Sequence, residues 1–133
     1  MRFTKITIVS IKKPQEHDLN ETLQWFGASL GLFGARDKDK SCFRIFIELV
    51  KNLKEEEPIS SDDIAIRTGL TRGTVVHHLN KLMSSGIVTS ERNGYQLKVD
   101  NLEGLTQIVK DNVDRAFDNL KEIAKDLDRK LRL

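Results

Sequence analysis

Residues 59–99, ISSDDIAIRTGLTRGTVVHHLNKLMSSGIVTSERNGYQLKV, carry a dense succession of start and stop signals. Ser60 or Ser61 can cap a short helix with Asp62 and Asp63 in its first turn, where the partial positive charge of a helix N-terminus favours carboxylates. Ile64, Ala65 and Thr68 are its inward positions. Gly69 breaks that helix and Thr71 caps a second one. In the second, Val75, Leu79 and Leu82 recur at steps of four and three, flanked by Val76 and Met83, until Gly86 ends it. Two strands, IVTSER and YQLKV, then flank Asn93-Gly94, a tight hairpin signal. Two helices joined by a glycine-containing turn and followed by a hairpin make a winged helix-turn-helix.

The flanks add one extension on each side. RFTKITIVSIKK is rich in β-branched residues and is stopped by Pro14, which predicts a strand over roughly residues 3–12. Asp18, with Glu21 three positions on, predicts a capped helix in which Leu19, Leu23, Phe26, Leu30 and Phe33 form the stripe. Gly27 and Gly31 weaken that helix or let another element approach, and Gly34 is its expected end. SCFRIFIELVKNLKE follows as a helix with Cys42, Phe46, Leu49, Val50 and Leu53 on one side. In the tail, Leu102, Leu105, Val109, Val113, Ala116, Leu120, Ile123, Leu127 and Leu131 step by three and four. The mean step is about 3.6, the repeat of a straight α-helix, and Asn101 is the expected cap. The fold class is therefore mainly α with a small β-hairpin. Its organisation is an N-terminal extension (1–35), a winged helix-turn-helix (36–100) and a long C-terminal helix (101–133).

Bulk properties exclude several function classes. A chain of 133 residues is about one domain. Its longest charge-free run, TLQWFGASLGLFGA, has 14 residues broken by Thr22, Gln24, Ser29 and glycines, too short and polar to span a bilayer. No signal peptide is expected, and one cysteine suits a reducing, cytoplasmic setting. Cys42 on an apolar face is expected to be buried filler. His77 and His78, adjacent on a helix, diverge by about 100° and cannot chelate one ion between them. With no His or Cys in 101–133, no metal or other cofactor is expected. No glycine-rich phosphate loop and no nucleophile–base pair is evident, so catalysis is not expected. The net charge is only +2, but residues 64–99 set Arg67, Arg72, Lys81, Arg92 and Lys98 against Glu91 alone. That segment is the one most suited to a polyanion.

LTRGTVVHHLNKLMSSGIV and the hairpin after it resemble the DNA-binding part of ArsR-type winged-helix regulators. Those proteins commonly carry Ser/Thr-x-x-Thr-Val-x-x-His-Leu, matched here by Thr71, Thr74, Val75, His78 and Leu79. The likeness covers about residues 40–100 and continues in architecture through the tail. It implies a recognition helix in the major groove of double-stranded DNA and a wing on flanking DNA. Thr71 and the free N–H groups of its turn suit a phosphate, and Arg72 suits a guanine or a phosphate. Thr74, His77 and Lys81 are expected on the DNA-facing side, and His78 on the backbone or beside the wing. Arg92, at the wing tip, is expected to reach the minor groove or a flanking phosphate. Val76 departs from the family's usual polar residue and is assigned to the core in preference to a thymine methyl.

A helix of some 45 Å exceeds what one small domain can cover. Its apolar side is expected to meet the same helix of a second copy through Leu105, Val109, Val113, Ala116, Leu120, Ile123 and Leu127. The tail's other face is zwitterionic, which argues against a membrane surface. The sequence reading is thus a homodimeric, sequence-specific DNA-binding transcription regulator. The competing reading is a winged-helix protein-interaction module that does not read bases.

Overall fold

The computed structural model describes Ile8, residues 18–34 and residues 37–133. The strand expected over residues 3–12 lies outside the described residues, Ile8 excepted. The chain builds helices α1 (Leu19–Ser29), α2 (Ser41–Lys51), α3 (Ser61–Thr68) and α4 (Arg72–Ser84). Strands β1 (Val88–Glu91) and β2 (Gly94–Leu97) and helix α5 (Leu102–Leu131) follow. The architecture is a winged helix-turn-helix with a long C-terminal helix.

Local chemistry fixes the helix starts. Asp18, Ser60, Thr71 and Asn101 each accept from a backbone N–H of the first turn, as their positions predicted. α2 starts at Ser41 as the sequence suggests, but its capping was not foreseen. A single helical turn at Lys38–Lys40 precedes it, with Asp39 and Lys40 in left-handed conformations. The Asp37 carboxylate reaches past that turn to accept from the N–H of Cys42 at 2.8 Å and of Phe43 at 3.1 Å.

Two helix ends share one mechanism. α4 closes when Gly86 turns left-handed (φ +81°), its N–H donating to Met83 O and that of Ile87 to Leu82 O. α1 closes the same way at Gly31 (φ +74°), where Gly31 N–H meets Ala28 O and Leu32 N–H meets Gly27 O. The expected terminus at Gly34 is thus corrected: Leu30 and Phe33 lie beyond the helix. The freed chain folds back, and the Phe33 ring lies on Gly27, so close that a Cβ there would be 2.3 Å from it. Phe33 then meets Phe43 edge-on at 5.3 Å and Phe46 at 6.0 Å.

The core gathers Ile45, Phe46 and Leu49 of α2, Ile64 of α3, and Val75, Leu79 and Leu82 of α4. Ile87, Val88 and Leu97 close it from the hairpin and Leu105 from α5. In the hairpin, Val88 pairs with Leu97 and Glu91 with Gly94, so the turn is Arg92-Asn93, one residue earlier than the Asn93-Gly94 signal suggested. The shift has a non-local cause. Ile59 exchanges two backbone hydrogen bonds with Tyr95, at 2.9 and 2.8 Å, and seats the wing against the segment before α3. Gly94 passes so close to Ile59 that no Cβ fits there.

Candidate nucleic-acid interface

The face of α4 opposite Val75, Leu79 and Leu82 is the surface the turn geometry presents. Gly73, His77, Asn80, Lys81 and Ser84 are exposed along it, with Thr74 half-buried at its edge. Asn80 and Ser84 were missed in the sequence reading, although they extend the Gly73–His77 spacing by three and four. An amide in such a row matters, because Asn can pair bidentately with adenine in a major groove.

At the N-terminus of α4, the Thr71 hydroxyl accepts from the Thr74 N–H at 3.2 Å and donates to the Thr74 hydroxyl at 2.9 Å. Both side chains are therefore engaged with each other. The amides of Arg72 and Gly73 are the donors this first turn leaves over for an anion. Arg72 is exposed, its Nε 3.4 Å from the equally exposed Asp62 carboxylate of α3. An ion pair so open to water is weak, so Arg72 can exchange Asp62 for another anion at little cost. Behind the turn, the Arg44 guanidinium donates to the Thr68 carbonyl at the C-terminal end of α3. This ties α2 to the turn that sets the angle between α3 and α4.

His78 does not stand in the exposed row. It is half-buried, meets His77 edge-on at 5.3 Å between ring centroids, and its Nδ1 is sealed from solvent without a hydrogen-bond partner. It is expected on the DNA backbone or beside the wing, and its side chain lies within electrostatic reach of Asp37, which precedes α2. Burial pushes its pKa below the ordinary histidine value, Asp37 opposes this, and His77 and Lys81 add to the depression. The unfolded chain therefore takes up this proton more readily than the folded one, so folding stability is fully present above the ordinary value of about 6.5. It declines as pH falls through that value toward the lower folded one. Urea midpoints at pH 7.5 and 5.5 should show this acid loss, and His78→Gln should flatten it; an unchanged difference in the variant would assign the loss to other groups.

Val76 is half-buried yet lies outside the apolar cluster of the core, so the core assignment made for it does not hold. It borders the exposed row instead. Arg92 is exposed at the hairpin turn. Among the described residues no hydrogen bond or ion pair joins it to α4, so row and wing are two separate contact elements on one scaffold.

Helix α5 divides its apolar stripe between two environments. Leu105 (0% exposed) and Val109 (7%) are buried against the chain's own domain, which corrects their assignment to a dimer seam. Val113 and Ala116 are half-buried. Beyond them Leu120, Ile123 and Leu127 are exposed, together with Leu131 and with Phe117, which the sequence reading missed. Phe117 sits at the margin of the stripe, four residues after Val113 and three before Leu120, a spacing that could have found it.

Cys42 is buried, its thiol donating to the Leu32 carbonyl at 3.5 Å. Burial, helped by the nearby Asp37 carboxylate, pushes its pKa up to about 12, so the reactive thiolate is suppressed. Among the described residues no three His, Cys, Asp or Glu side chains converge, and no helix is long and apolar enough to cross a membrane.

No curated protein and no solved structure matches the chain. One family model does. Residues 47–96, from α2 through the turn, α4 and most of the hairpin, match the HTH domain family, a match that supports a helix-turn-helix regulator family and suggests DNA binding without singling out the ArsR type.

Proposed function

We propose that this chain is a homodimeric, sequence-specific transcription regulator that lays α4 in the major groove of duplex DNA and its wing on the flanking backbone. The observation that carries this reading is the uncovered face of α4, where Gly73, His77, Asn80, Lys81 and Ser84 stand exposed above a core-facing row that is fully buried. Arg72 and the amides of its turn hold a phosphate, His77, Asn80 and Lys81 face base edges, and Arg92 takes a phosphate beside the site or enters the minor groove. Thr71 and Thr74 keep the helix start small enough to approach the backbone. His78 acts from behind, holding His77 at its angle. The projecting half of α5 pairs with its counterpart in a second copy through Phe117, Leu120, Ile123 and Leu127, which sets two recognition helices about one DNA turn, roughly 34 Å, apart.

The test is selection of bound genomic fragments, followed by affinity measurements on the enriched duplex and on a scrambled one across a salt series. The expected outcome is preference for the enriched duplex and a steep loss of affinity with salt. Lys81→Gln should lower the salt slope by about one if Lys81 meets a phosphate, and should leave the slope but erode the sequence preference if it meets a base. Absence of any complex with duplex DNA at low salt would overturn the reading in favour of a protein-interaction module.

A further inference from the structure

A cavity of about 650 Å³ opens between the C-terminal end of α4, the chain leaving α1 and the first half of α5. That size suits a small ligand. Its apolar lining includes Leu32, Ile87 and Val109. Its polar lining includes Lys81, Asn112 and Arg115. Residues 101–133 contain seven carboxylates, yet among the described residues no carboxylate lines this cavity. Among the described residues neither Lys81 nor Arg115 has a carboxylate partner: Arg115 donates to the Asn112 side chain, and the nearby Asp37 carboxylate is held by the Cys42 and Phe43 amides. A cavity lined by two cations and by apolar side chains, with no carboxylate in its lining, is complementary to a molecule with one anionic end and a hydrocarbon body.

We propose that this cavity binds a small organic anion with an apolar body, its carboxylate between Lys81 and Arg115, and that its occupancy competes with DNA for Lys81. Lys81 belongs to both surfaces, since it stands on the exposed face of α4 and lines the cavity. A carboxylate drawing the Lys81 ammonium toward α5 removes a cation from the DNA-facing row. By linkage, DNA and the anion then weaken each other's binding by the same factor. This coupling rests on the DNA-binding reading, whereas the cavity itself is tested in the free protein, so the two fail separately.

The probe is octanoate, with 1-octanol as its uncharged counterpart, titrated into the isotopically labelled full chain and followed by backbone amide spectra. Octanoate should give saturable shifts at Ser85, Gly86, Asn112 and Asn119, and octanol should give none at the same concentration. Arg115→Gln, an exposed position outside the DNA-facing row, should weaken octanoate roughly tenfold by removing one charge-assisted contact. Equal shifts from octanol, or shifts confined to the projecting Leu120–Leu127 segment of α5, would overturn the site. In a second measurement, saturating octanoate should lower duplex affinity of the wild-type chain several-fold and lower that of Arg115→Gln clearly less at that concentration. Octanoate binding in the cavity with no effect on duplex affinity would overturn the competition for Lys81.

Discussion

Replacing Leu120 and Leu127 together by lysine should give a monomer in sedimentation equilibrium and lower affinity for a two-half-site duplex by roughly 100-fold or more. The fold should survive, because both side chains are at least half exposed in the single chain, Leu120 at 59% and Leu127 at 50%. They carry no packing that the monomer needs. In the proposed pair they would be buried, and lysine there would set two like charges in a desolvated seam. The DNA effect follows from avidity: a monomer holds one half-site and loses the second contact that the dimer makes within the same molecule. Two controls give the result its meaning. The thermal midpoint should stay near that of the wild type extrapolated to low protein concentration, and Leu105→Ala, deep in the core, should instead lower stability by about 3 kcal/mol. A dimer that persists in the double-lysine variant places the seam elsewhere.

Gly94→Ala should destabilise the domain by about 3 kcal/mol and loosen the wing. A Cβ at this position would lie 2.3 Å from the Ile59 carbonyl oxygen and 2.8 Å from the Ser60 nitrogen, both backbone atoms with little room to yield. The backbone at Gly94 also sits at φ +151°, a conformation side-chain-bearing residues rarely adopt. Relief requires β2 to move away from Ile59, which breaks the two hydrogen bonds between Ile59 and Tyr95. The readouts are a lower urea midpoint and faster amide exchange at Tyr95 and Ile59, with exchange in α2 retained. Unchanged protection at Tyr95 would mean that the Ile59 pairing does not hold the wing.

These two positions also show what the sequence makes legible. The caps at Asp18, Ser60, Thr71 and Asn101 were readable because a cap is a transaction between residues two or three apart. Helical stripes were readable for the same reason. Gly94, by contrast, looks like the second residue of a hairpin turn, and only the approach of Ile59, far back along the chain, makes it the first residue of a strand. Gly31 and Gly34 both resemble helix stops, and the fold-back of Phe33 onto Gly27 decides between them. His78 shares a helix with the exposed row and differs from it in being half-buried within electrostatic reach of Asp37, a residue far back along the chain. On α5 the three–four spacing predicts one uniform stripe from Leu102 to Leu131. Where the rest of the domain ends beneath it, and therefore which leucines remain for a partner, is set by packing that spacing does not encode.

The same α5 runs unbroken from Leu105, anchored among the buried side chains of the domain, to Leu127, well past it. At 1.5 Å per residue that is a stiff arm of about 33 Å. In the proposed dimer each DNA-binding unit hangs on the root of such an arm while the far halves are joined. A change of only about 5° at the root displaces the reading head by about 3 Å over that length, close to the 3.4 Å rise of one base pair. In that proposed dimer, small repacking beside Val109 would be amplified into a mismatch between protein and half-site spacing, so that leverage, with no reshaping of the recognition helix, would set the occupancy of the DNA site.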